Sequence, residues 1–310
     1  METDIAAITA KLVKELRDKT SAGMMDCKKA LNETDGDIEA AIDWLRKKGI
    51  AKADKKAGRV AAEGLVAVAT AGTSGVLVEV NSETDFVARN AEFQTAVANV
   101  ATAALGVEST EALRDAQVEG KSVTDYLTAL VAKIGENMSL RRMTKLSVSS
   151  GVVEGYIHNA ATTGMGKIGV LVALESTGDA AALQTLAKKI AMHVAATSPL
   201  ALTTDDLDQA VVQKERDMLK AEALESGKPE AIVDKMVEGR MVKFFKESVL
   251  MTQMFVMDPD RNIETVIADE AKALGAEITM SGYVRMEVGD GIEKKEEDFA
   301  AEVAAAVAGS

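Results

Sequence analysis

The chain has 310 residues and a formal net charge of −13, from 36 Lys+Arg against 49 Asp+Glu. That balance argues against a binder of RNA or DNA, because phosphate recognition needs clustered positive charge, and a hydrophobic content of 47% argues against global disorder. Cys27 is the only cysteine, which excludes an internal disulfide framework, and with His158 and His193 as the only histidines no His/Cys-rich zinc site is expected.

Residues 3–49 predict three short helices. In the first, Ile5, Ile8, Leu12 and Leu16 form one apolar stripe, with Thr3 or Asp4 as its cap. The second starts near Met24 and carries Cys27, Ala30 and Leu31. Asp35-Gly36-Asp37 is a turn with a cap, after which Ile38, Ala41, Ile42 and Leu45 make a third stripe. This unit resembles a ubiquitin-associated-type three-helix module. Lys47–Arg59 is basic and weakly patterned and reads as a linker.

An internal repeat follows. Glu63-Gly64-Leu65-Val66 precedes Gly75-Val76-Leu77-Val78, and Glu154-Gly155-Tyr156-Ile157 precedes Gly169-Val170-Leu171-Val172. Each copy predicts a β-hairpin. A helical pattern follows each hairpin, from near Asp85 with Phe86, Phe93, Val97 and Val100, and from near Asp179 with Leu183, Leu186, Ile190 and Val194. The expectation is two similar α+β subdomains, each with its own small antiparallel sheet covered by helices on one face.

Residues 203–250 predict an antiparallel helical hairpin. Leu207, Val211, Met218 and Leu219 lie on its first arm, Gly227-Lys228-Pro229 forms the turn, and Ile232, Met236, Phe244 and Val249 lie on the return. Met251–Pro259 reads as an apolar connector, Ile278–Val288 as a strand, and Glu293–Ser310 as an acidic stretch running into a terminal helix with Phe299 and Val303.

Catalytic patterns are scarce. Gly164-x-Gly166-x-x-Gly169 precedes a strand instead of following one, the wrong context for a dinucleotide site. His193 on its Ala/Val helix reads as a packed residue. Asn81-Ser82-Glu83-Thr84-Asp85-Phe86-Val87 stands at a strand-to-helix corner. It is either an ordinary capped helix with Phe86 in the core or a carboxylate and an apolar wedge offered to a partner. Met24 and Met25 cannot both face one small core, so at least one is a candidate binding residue. Phe255-Val256-Met257 is either buried or offered to a partner. Met1–Ala10 shows no leader-like apolar stretch, and no apolar run approaches the roughly 20 residues of a membrane span. The expectation is therefore a cytoplasmic chain.

TSAGMMDCKK (20–29), VNSETDFVA (80–88), KIGENMSLRR (133–142), IAMHVAA (190–196), MVEGRM (236–241), Phe255-Val256-Met257 and FAAEVA (299–304) together resemble the bacterial elongation factor Ts family, in order along the chain. The resemblance implies a guanine-nucleotide exchange factor for elongation factor Tu, without bond-making catalysis or a cofactor, and with no direct nucleic-acid or membrane partner. It implies that Asp85 and Phe86 intrude near the Mg²⁺ and phosphate site of Tu, and that Thr84 and Val87 beside them bind Tu as well. It implies that Arg17, Met24, Met25 and Lys28 contact the nucleotide domain, and that His158, Val256 and Met257 also touch Tu. Phe299 and Val303 fall in the family's terminal module, which packs on the nucleotide domain. Its fold would be α+β: an N-terminal three-helix module (1–50), a linker (51–62), core subdomains at 63–150 and at 151–202 with 251–290, a helical hairpin or coiled coil (203–250) tied to a dimer or 2:2 complex, and a C-terminal module (291–310). Three departures stand out, of which one is the Ile263–Met280 region, longer than in some members of the family. The stretch from Asn159 to Lys167 is longer than the family's usual turn. Ser82-Glu83 stands where Cys-Gln is often found, with little consequence expected.

Overall fold

In the computed structural model, residues 8–20, 22–225 and 229–293 are described. They form an α+β fold in two compact units, one holding residues up to 65, 78–142 and 288 onward, the other 66–77 and 143–287.

The first unit opens with α1 (Ala10–Thr20), α2 (Met24–Glu33) and α3 (Ile38–Asp54). Val13, Leu16, Cys27, Ala30, Leu31 and Ala41 bury one another, with Ile38, Ile42, Trp44 and Leu45 packed around them. Thr3 and Asp4 lie outside the described residues. The described start of α1 is Ala10, where the Thr9 hydroxyl oxygen accepts from the Leu12 amide. Asp37 caps α3 by accepting from the Ala40 amide, as expected. The weakly patterned Lys47–Arg59 stretch is not all linker, because α3 continues to Asp54. Its second half is held by polar tethers that leave no apolar period: Lys48 and Lys52, one turn apart, both donate to Asp26, and Arg46 reaches Asp125.

Then come β1 (Glu63–Ala71), β2 (Ser74–Ser82), α4 (Asp85–Ala88), α5 (Ala91–Ala104), α6 (Thr110–Asp115), β3 (Gln117–Val118), β4 (Lys121–Ser122), α7 (Val123–Ile134) and β5 (Met138–Ser147). The helix expected to run on from Asp85 is broken in two. The Asn90 side chain caps α5 by accepting from the Glu92 and Phe93 amides, so α4 is a single turn. Phe93, Val97 and Val100 enter the core, and Phe86 does not. Glu79 on β2 is fully buried in this unit. It accepts from Asn81 (2.9 Å), Arg141 (3.0 Å), Arg142 (2.6 Å) and the Gly289 amide (2.8 Å). Burial pushes its carboxyl up, but these donors together hold it below its ordinary value of 4.5.

The chain goes on with β6 (Gly151–Thr162), β7 (Met165–Ser176), α8 (Ala180–Thr197), α9 (Gln209–Glu225), α10 (Glu230–Ser248), β8 (Met254–Phe255), β9 (Asp258–Asn262), α11 (Ile263–Leu274) and β10 (Ile278–Glu287). The two repeat hairpins do not build separate sheets. One six-stranded sheet runs β10-β7-β1-β2-β5, with β6 also on β7. The joint is antiparallel, Val66 opposite Gly166 and Ala67 opposite Met165. Pairing in this way covers edges that two isolated hairpins would leave open. Close approach at the joint needs glycine. A Cβ on Gly155 would lie 2.3 Å from Cγ2 of Val68, and one on Gly169 2.7 Å from Cγ1 of Val66.

The core of the second unit is Val152, Val170, Val172 and Leu174 under Leu183, Leu186, Ile190 and Val194, closed by Ile263, Val266 and Ile267 of α11. The periodicity expected for α8 is thus the buried one, whereas α11 is a helix that the sequence pattern does not predict. α9 and α10 pack through Leu219, Ala223, Val233, Val237 and Met241. Val211, Met218 and Ile232 are exposed, and Leu207 lies ahead of α9 in a separate buried cluster with Ala201 and Val249. On α10 Val233 and Val237 are buried in place of the expected Ile232 and Met236, because apolar residues occupy two adjacent faces and the partner helix selects between them, whereas Phe244 packs against the cluster and Val249 is buried as expected. The Met251–Pro259 connector is a short 3-10 turn at Leu250–Thr252 followed by the β8–β9 hairpin.

Candidate partner-binding site

The corner after β2 is fastened before the chain turns. Ser82 Oγ donates to the Thr84 carbonyl at 2.9 Å. Thr84 is the N-cap residue of α4 but makes no side-chain cap bond. Its amide donates to Glu136 Oε2 at 3.0 Å and its hydroxyl to Glu136 Oε1 at 2.9 Å. Val87 and Ala88 form the buried side of the turn, so Val87 faces the core. Phe86 points away and is 75% exposed. Asp85 is half-buried and pairs with Arg89 at 3.1 Å, a surface contact worth little to stability.

Met24 and Met25 are the first two residues of α2, 59% and 77% exposed, so neither belongs to the three-helix core. The next residue, Asp26, anchors that end of the helix. Hydrogen bonds from Lys48 and Lys52 hold its carboxyl below the ordinary 3.8. Arg17 and Lys28 are exposed. Arg17 and Met24 line an open cleft with Lys52, Glu92 and Lys133.

In the second unit, His158 is half-buried on β6 and remains in register opposite Ile168. The irregularity of the longer following loop begins beyond it, with Asn159 at φ 49° and a register shift between Ala160 and Thr162. Tyr156, two residues back on the same strand face, brings its hydroxyl within 3.2 Å of His158 Nδ1. Val256 and Met257 form the exposed turn of the β8–β9 hairpin, with Phe255 buried beneath. His193, fully buried as expected, does more than pack. Its Nδ1 accepts from the Val256 amide at 3.2 Å, and Nε2 bonds Gln253 Oε1 at 2.8 Å. Phe299 and Val303 lie outside the described residues. Among the described residues, no cluster of three or more His, Cys, Asp or Glu could hold a metal ion, and no helix is long and apolar enough to cross a membrane.

Residues 83–290 match the family model described as elongation factor TS. The chain is 58% identical to the elongation factor Ts of Caulobacter vibrioides over 306 residues, covering 97% of this chain and 98% of that one. It is 60% identical to that of Maricaulis maris over 308 residues, covering 97% and 99%, and 57% identical to that of Rhizobium meliloti over 305 residues, with the same coverage. The chain belongs to the elongation factor Ts family. As a member it is a guanine-nucleotide exchange factor for elongation factor Tu, an activity that makes and breaks no covalent bond.

Seen as an elongation factor Ts, the chain contains supporting residues that sequence reasoning missed. Glu136 sits in the quoted 133–142 segment, yet nothing local to that segment signals its bond to Thr84. Gln253 and Tyr156 are likewise silent in sequence. The residues around Phe86 left open whether it is core or offered to a partner, and its 75% exposure removes the first of these.

Proposed function

We propose that this chain releases GDP from elongation factor Tu by inserting Asp85 and Phe86 beside the Mg²⁺ and phosphate site. One observation carries the reading: Phe86 stands 75% exposed on a one-turn helix whose opposite side is buried. Burying such a ring against a partner recovers about 2–3 kcal/mol. Asp85 supplies a negative charge that perturbs the metal and phosphate surroundings.

Exchange is a coupling problem: the factor weakens GDP exactly as much as GDP weakens the factor. A GTPase holding GDP at about 1 nM has roughly −12 kcal/mol to overcome, so contacts beyond the wedge are required. Arg17, Met24, Met25 and Lys28 supply them from an N-terminal module of ubiquitin-associated type, whose third helix runs on to Asp54 before a short connection to β1. His158, Val256 and Met257 supply them from the second core subdomain (151–202 with 251–290), and Phe299 and Val303 from a C-terminal module (291–310). Thr84 and Val87 hold the wedge within the first core subdomain (63–150). Residues 203–250 act as a coiled-coil arm that joins copies into a dimer or a 2:2 complex with Tu. The factor engages both GDP-bound and nucleotide-free Tu in the cytoplasm.

Stopped-flow release of a fluorescent GDP analogue from Tu tests the wedge. The Asp85→Ala/Phe86→Ala chain should melt as the parent does and stimulate release far less. Unchanged stimulation would overturn the reading.

A further inference from the structure

The geometry points to Glu136 as the positioning residue of the exchange wedge: its carboxylate, fastened to Thr84, sets the pose in which Asp85 and Phe86 are offered. The inference rests on the wedge reading above.

A four-residue helix has no stability of its own, since nucleating a turn is unfavourable. Phe86 makes no packing that could fix the turn from outside, being 75% exposed. Its pose is therefore set by the buried Val87 and Ala88 and by whatever holds the start of α4. That start is held by two crossed carboxylate straps. Glu136 accepts from both the amide and the hydroxyl of Thr84, at 3.0 and 2.9 Å. Reciprocally, Glu83 Oε1 accepts from the Asn137 amide at 2.5 Å. Adjacent residues of one loop thus grip adjacent residues of the other. Charge-assisted bonds to backbone amides are short and directional, so the pair restrains position and rotation together.

Both ends of the clamp are themselves braced. Gly135, in the left-handed conformation at φ 90°, ends α7 and delivers Glu136 directly after it. Arg59 donates to the other oxygen of Glu83 at 3.3 Å, and the Asn137 side chain donates to the Arg59 carbonyl at 2.8 Å. Glu83 is thus one half of the clamp, through an acceptor oxygen that the family's frequent glutamine would also offer.

The test uses the full-length chain and Tu preloaded with a fluorescent GDP analogue, with release followed at increasing factor concentration. Glu136→Ala should lower the saturating release rate about tenfold, because small misplacements of a positioned group cost that much or more. The concentration for half-maximal stimulation should move by less than about threefold, since the other contacts remain. On an Asp85→Ala/Phe86→Ala background, where both positioned groups are gone, the same change should cause no further loss, a non-additivity that a general loss of stability would not produce. Two results overturn the inference: a saturating rate within about twofold of the parent although Phe86→Ala alone is slow, or a further loss from Glu136→Ala on the Asp85→Ala/Phe86→Ala background. If Phe86→Ala alone leaves release unchanged, the wedge reading itself falls, and the positioning role with it. Should Glu136→Ala fail to fold, Glu136→Gln, which keeps one acceptor oxygen but loses the charge, replaces it, with a smaller loss expected and the same criterion on the Asp85→Ala/Phe86→Ala background.

Discussion

His193 and Val256 are joined side chain to backbone: the Val256 amide donates to Nδ1 at 3.2 Å. An amide can only donate, so Nδ1 carries a lone pair and the ring proton sits on Nε2, where it is donated to Gln253 Oε1. Gln253 in turn donates to the Glu247 carbonyl at 2.6 Å and accepts from the Thr197 hydroxyl at 3.0 Å. The arrangement works only with a neutral imidazole, and it sets the turn that presents Val256 and Met257.

A pH dependence follows. Burial holds the His193 pKa below its ordinary 6.5, with the Gln253 bond opposing. The unfolded chain therefore binds this proton more readily than the folded one. The contribution is intact above about pH 6.5 and is lost progressively as pH falls through that value towards the folded-state pKa. Urea unfolding midpoints should drop between pH 7 and pH 5 in the parent chain, and drop less in His193→Gln. Equal slopes would remove His193 from the account.

Phe86→Ala alone should reduce stimulated GDP release by a factor corresponding to about 2–4 kcal/mol, the usual cost of truncating an aromatic anchor. Because the ring is exposed in the free protein, its folding stability should change by no more than about 0.5 kcal/mol. Paired stopped-flow and thermal-melt measurements check the two halves separately.

Met24→Ala with Met25→Ala should weaken binding to Tu while leaving the melting temperature near that of the parent, since neither side chain is in the three-helix core. Calorimetric titration against nucleotide-free Tu measures the first quantity and a melting scan the second. A large melting shift with unchanged affinity would return both residues to a structural role.

Glu79→Ala should destabilise the fold by about 3 kcal/mol, because it removes the buried carboxylate on which two arginines, Asn81 and a backbone amide converge. The same site predicts acid sensitivity. With a folded pKa below 4.5, the contribution is present above about pH 4.5 and is lost as pH falls below it. Denaturant titrations at pH 7 and pH 3 should show the gap between parent and variant closing at the lower pH.

Much of this architecture is legible locally. Leu183, Leu186, Ile190 and Val194 repeat at helical spacing and are all buried, and both hairpins occur where alternating β-rich runs flank Gly/Thr/Ser turns. What escapes the sequence is set at a distance. Thr84 and Glu136 are 52 positions apart, and a polar bond between loops leaves no periodic trace. The break between α4 and α5 depends on Asn90 turning its side chain to the Glu92 amide instead of allowing the helix to run on. The joining of the two hairpins depends on Gly166 and Met165 meeting β1, which neither repeat announces alone. The exposure of Phe86 escapes the sequence too: a helix running on from Asp85 would carry the ring into the core, and only the break at Asn90 leaves it outside.

Leaving Met24, Met25, Phe86, Val256 and Met257 uncovered has a colloidal consequence. Each apolar side chain waiting for a partner is also an adhesive point for another copy of the same chain. A net charge of −13 opposes such encounters by mutual repulsion. That repulsion reaches only about 8 Å at physiological ionic strength and shrinks to about 3 Å at 1 M. Crowded or salty conditions should therefore bring copies together through the same exposed residues that we propose meet the GTPase, and an excess of Tu should keep them apart.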